Sequence, residues 1–93
     1  MFVEDNGALL QEAKKYIASG DVRSAINSLI SFTNRPENKF YYNPSLQLQS
    51  RYSSFIQEKL RGTLSHQEET LQLNKISNDA ITLIDEILKY KSM

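Results

Sequence analysis

Apolar residues recur along this chain at the three-and-four spacing of amphipathic helices in four stretches, divided by short polar or glycine-bearing breaks. Leu9, Leu10, Ala13 and Ile17, with Tyr16 at the margin, predict a first helix over about 7–19, and Asp5 or Asn6 is placed to cap it. Ser19-Gly20-Asp21 then sets a terminating glycine beside a capping aspartate. Val22, Ala25, Ile26, Leu29 and Ile30 form one buried stripe and predict a second helix over about 22–33. So short a turn leaves room only for an antiparallel hairpin.

Residues 34–43 begin as the most polar, breaker-rich part of the chain and predict an exposed loop, ending in Phe40-Tyr41-Tyr42. Those rings either plug the end of the helical core or present an aromatic patch to a partner, and Tyr41 and Tyr42 are candidate partner-binding residues on the second reading. Asn43-Pro44 is a cap followed by a first-turn proline, so a third helix is expected over about 44–61, with Leu48, Tyr52, Phe55, Ile56 and Leu60 on its apolar side and Leu46 beside them. Gly62 can take the left-handed backbone that closes this helix, and Ser65 with Glu68 has the spacing of a capping box. Leu60 and Leu64 are expected to fold inward on either side of Gly62. A fourth helix over about 66–90 carries Leu73, Ile76, Ala80, Leu83, Ile84, Ile87 and Leu88, with Leu71 and Ile81 widening the stripe and Asp79, Asp85, Glu86, Lys89 and Lys91 outside it. It is long enough to pack against both the third helix and the first hairpin. No window alternates as a strand does. The expected fold is all-α: an antiparallel four-helix bundle, a helical hairpin followed by two longer helices, forming a single helical domain over 1–93.

Composition narrows the function more than the fold. Eleven basic and eleven acidic residues are interspersed along 93 residues, which argues against a basic nucleic-acid footprint, and the absence of cysteine excludes disulfides and thiolate sites. No apolar run approaches a bilayer-spanning length and the N-terminus has no signal-peptide pattern, so a soluble cytoplasmic protein with no membrane partner is expected. His66 is the single histidine and stands beside a capping serine, in a solvated or capping role rather than a binding one. Glu68-Glu69 and Asp85-Glu86 diverge around their helix, and Glu68-Glu69 complements its positive end. With no phosphate loop, metal-ligand spacing or nucleophile beside a base, no catalytic residue, cofactor or metal is expected, and the chain does not read as an enzyme. Arg51 stands next to the core stripe of the third helix, where it either pairs with an acid of the fourth helix such as Asp79 or bridges to a partner.

The order of these pieces is itself informative. The hairpin Ile17-Ala18-Ser19-Gly20-Asp21 with Ala25-Ile26 and Leu29 comes first. Leu48-Gln49-Ser50-Arg51-Tyr52 follows, then Leu60, Gly62 and Leu64-Ser65 with Glu68-Glu69, and last Asn74-Lys75-Ile76 and Ala80-Ile81 leading into Leu83-Ile84-Asp85-Glu86-Ile87. Over residues 9–88 the chain resembles the effector-associated domains of bacterial conflict systems, of the type numbered eleven. That family is marked by a serine-arginine-tyrosine or serine-arginine-leucine step in its third helix and a glycine, leucine-serine, glutamate-glutamate joint. The chain departs from it at Gln67 and Thr70 and in a longer, tyrosine-rich loop at 34–43. The resemblance implies a death-fold-like adaptor without activity of its own, pairing with a like domain on another chain, or with itself, to couple an effector to a sensor or signalling protein. Candidate contacts are Arg51, Tyr41, Tyr42 and Arg61. Two other readings remain: a nucleic-acid-binding helical domain using Arg51, Lys59 and Arg61, and a structural cap on a larger enzyme.

Overall fold

The computed structural model describes residues 6–91. Helix α1 runs Asn6–Ala18 and α2 Val22–Thr33; a 3-10 helix Pro36–Tyr41 follows, then α3 Tyr42–Arg61 and α4 His66–Lys91, and the described residues contain no strand. Capping of α1 by Asp5 lies outside the described residues, as does the side chain of Lys91; Asn6 is the first residue of α1.

Each turn closes by local chemistry. Gly20 takes φ +85°, which lets its N–H donate to the Ile17 carbonyl and the Asp21 N–H to the Tyr16 carbonyl, so the end of α1 is satisfied within two residues. The Asp21 carboxylate then accepts from the Ser24 N–H and hydroxyl, starting α2. Gly62, at φ +71°, repeats the arrangement at the end of α3: its N–H donates to Lys59 and that of Thr63 to Glu58. In Ser65 and Glu68 each side chain accepts the other's backbone N–H, at 2.8 and 3.1 Å, and these Ser65 contacts, the backbone amide foremost, hold the Glu68 carboxyl below the usual carboxylate range. A Cβ at Gly62 would meet nothing within 4 Å. Gly62→Val is therefore expected to lose about 1–2 kcal/mol, all of it from forcing a branched residue into the left-handed region. Urea unfolding measures this, and an unchanged midpoint would mean that α3 can end without a left-handed residue.

The helices close a four-sided ring in which α1 packs on α2, α2 on α3, α3 on α4 and α4 back on α1. Leu10 and Ala13 of α1, Val22, Ala25, Ile26, Leu29 and Phe32 of α2, Leu48 and Phe55 of α3, and Ile76, Ala80, Leu83, Ile84 and Ile87 of α4 make one continuous core. Burying each of the larger of these side chains contributes about 1.5–3 kcal/mol. Lys14 of α1 meets Asp85 of α4 at 2.7 Å across the closing seam.

Three expectations are corrected. Residues 34–43 are largely exposed but are not a loop: residues 36–41 wind into the 3-10 helix, and Asn38 within it is buried, its Nδ2 donating to the Phe32 carbonyl at 2.9 Å. A side chain, rather than solvent, thus covers the end of α2. Helix α3 begins at Tyr42, two residues before Pro44 and without a side-chain cap, because the 3-10 helix runs directly into it and the Tyr42 N–H donates to Lys39. Pro44 still falls in the first turn, where its missing N–H costs nothing.

The third correction is to two apolar positions beside the joint: Leu60 and Leu71, both placed on buried stripes by their spacing, are 82% and 62% exposed, while Leu64 does pack against the core. The reason is length. With 20 and 26 residues, α3 and α4 outrun the 13 and 12 of α1 and α2, and the buried positions stop at Phe55 on α3 and begin at Ile76 on α4. Past those residues the second hairpin projects beyond the first, giving the molecule its 47 Å long axis against 22 Å across.

Candidate interaction surfaces

Three surfaces stand out, and each is set by a different part of the fold. On the α3–α4 face, the Arg51 Nη1 lies 2.8 Å from the Asp79 Oδ2, the internal pair expected from sequence. Both side chains are nearly half exposed, so the pair ties the hairpin by at most about 1 kcal/mol. Shallow hollows of about 230 and 270 Å3 flank it, one reaching Leu83 and Glu86, the other Phe55 and Ile76.

At the end where α2 finishes and α3 begins, Tyr41 is half-buried against the core and packs edge-on to Phe40, at 5.1 Å, and to Tyr90, at 6.1 Å. Tyr42 is also half-buried, with the Lys39 ammonium 4.5 Å above its ring. The exposed rings are Phe40, at 84%, and Tyr90. The helical periodicity of α4 does not mark Tyr90 as a contact. Its signal was topological: antiparallel packing of α3 and α4 brings the last turn of α4 to the start of α3.

The third surface is the groove between α2 and α3, about 300 Å3, lined by Arg23, Ile26, Asn27, Tyr52, Ile56 and Gln57 among others, with no acid in its wall. Arg23 lies with its guanidinium 5.7 Å from the centre of the Tyr52 ring and makes no ion pair among the described residues. It occupies the first turn of α2, where the positive end of the helix disfavours a cation. Sequence reading passed over Arg23, because its stacking partner lies on another helix.

The joint carries less. Arg61 is exposed and its guanidinium reaches only the Gln57 side chain, at 3.5 Å; Lys59 is exposed as well, and His66 is the exposed first residue of α4. With Arg51 taken up by Asp79, Arg51, Lys59 and Arg61 do not make a strip of free cations. Among the described residues no three His, Asp or Glu side chains gather as metal ligands would.

The family model for effector-associated domain 11 matches residues 8–87. The chain belongs to the effector-associated domain 11 family. Neither the curated proteins nor the solved structures contain a match to it. The matched span of this effector-associated domain takes in α2, the 3-10 helix and α3 whole, and most of α1 and α4, so Arg23, Tyr41, Tyr42, Arg51 and Arg61 fall within it while Tyr90 falls outside. No helix among the described residues is long and apolar enough to cross a membrane.

Proposed function

We propose that this effector-associated domain is a non-catalytic adaptor whose 93 residues act as one helical unit in the cytoplasm, binding a like domain and thereby coupling an effector to a sensor or signalling protein in a bacterial conflict system. The observation that carries the reading is the family match across nearly the whole bundle. The surface supports it: a rigid helical scaffold with balanced charge and separate exposed apolar residues, Phe40, Leu60, Leu71 and Tyr90, suits association by complementary patches. Sedimentation of the purified chain, alone and mixed with like domains encoded by neighbouring genes, tests it. Association that weakens as salt rises from low to physiological concentration is the expected result. A chain that remains monomeric and ignores every such domain would end the reading.

A further inference from the structure

Leu60 and Leu71 stand nearly level across the projecting α3–α4 hairpin, yet they belong to opposite faces of it. Phe55 and Ile76 line the same hollow between the two helices; Leu60 lies five residues after Phe55 and Leu71 five before Ile76. Five residues turn a helix about 140° from its starting direction. On two antiparallel helices, equal rotations of this kind carry the two leucines to opposite sides of the hairpin. The lining residues agree. Leu60 follows Ile56 by one turn and extends the wall of the α2–α3 groove, whereas Leu71 lies three turns before Thr82, which lines the hollow beside Arg51 on the other face. Leu60 is 82% exposed and Leu71 62%.

The groove side offers an apolar wall of Ile26 and Ile56, the Leu60 ledge past the start of α2, and one guanidinium laid on Tyr52 with no carboxylate to meet. An arginine in the first turn of a helix, in a groove without an acid, departs from the usual placement of charge along a helix, and such departures mark working surfaces. The opposite face offers the matching chemistry: an exposed leucine with the Glu68 carboxylate one turn before it.

Resting on the like-domain reading, we infer that the α2–α3 groove receives the Glu68–Leu71 turn of a second copy, Leu71 seating on Ile56 and Leu60 while Glu68 meets Arg23. Donor and acceptor surfaces lie on opposite faces, so the contact is heterologous. Each bound copy still presents a free groove or a free turn, and the assembly grows past a dimer.

Sedimentation velocity at low salt tests this with Arg23→Glu, Leu71→Lys, the two combined in one chain, and an equimolar mixture of the single variants. Both positions are exposed, and Arg23→Glu places an acid where the start of α2 favours one, so melting temperatures are expected to hold or rise slightly. Should Leu71→Lys lower the melting temperature, Gln67→Lys, one turn earlier and also exposed, replaces it. Each single variant is expected to weaken self-association by at least about tenfold, since like charges or a lost apolar contact then meet across the interface. The mixture should form a pair that stops at two, because each partner keeps one working surface. The combined variant, which keeps neither working surface, should stay monomeric. A single variant that associates as the wild type does, or two monomeric singles that fail to pair, would overturn the groove-and-turn contact and leave the like-domain reading in place. A wild-type chain that is monomeric alone but binds a like domain from a neighbouring gene overturns the second-copy occupant only.

Discussion

Replacing Phe32 by alanine is expected to lower stability by about 3–5 kcal/mol, the largest loss from a single truncation in this bundle. Phe32 has no exposed surface, and it is the bulkiest of the fully buried side chains. It sits near the end of α2, where α2, the 3-10 helix and α3 come together, so the cavity would open where three elements meet and cannot collapse by sliding one helix. Small domains have about 5–15 kcal/mol in total, and a loss of this size would leave part of the chain unfolded at ordinary temperature. Urea denaturation read by helical signal measures the change. A loss under about 1 kcal/mol would show that the surrounding side chains refill the space.

Asn38→Asp is the second large effect, and it comes with a pH signature. The Asn38 amide donates to the Phe32 carbonyl from a position 3% exposed. An aspartate there has the same shape but, when ionised, directs a charge at a carbonyl oxygen in a buried site. An unpaired buried charge costs about 3–5 kcal/mol. Burial raises the pKa of such a carboxyl above its unfolded value, so the destabilisation is full at neutral pH and shrinks as pH falls through the raised value, when the acid protonates and can donate again. Parallel melts of wild type and variant from pH 7 to pH 4 should show the gap narrowing. A gap that stays constant or widens would mean that the side chain turns outward to solvent.

The Asn38 result also shows where sequence reading stops. Helical stripes such as Val22, Ala25, Ile26 and Leu29 state their buried face directly, and the glycine stops at 20 and 62 and the Ser65–Glu68 box are fixed by residues within five positions of one another. Arg51 with Asp79 was within reach because antiparallel helices three and four leave few acids at that level. Asn38 reads as loop, since nothing local says that the Phe32 carbonyl will be above it. Leu60 fits its stripe, and only the unequal helix lengths, a property of the whole bundle, leave it uncovered. Arg23 and Tyr90 took their places in the candidate surfaces from partners on other helices, Tyr52 and Tyr41.

The two left-handed glycines also bear on how fast the chain finds its structure. Because Gly20 and Gly62 close their turns within a few residues, α1 meets α2 and α3 meets α4 through contacts between near neighbours in sequence, and little loop entropy is lost in either hairpin. What remains is one encounter between two preformed pairs, held close by the short 3-10 connection and completed when the far end of α4 reaches α1. Chains organised this way fold in microseconds to milliseconds.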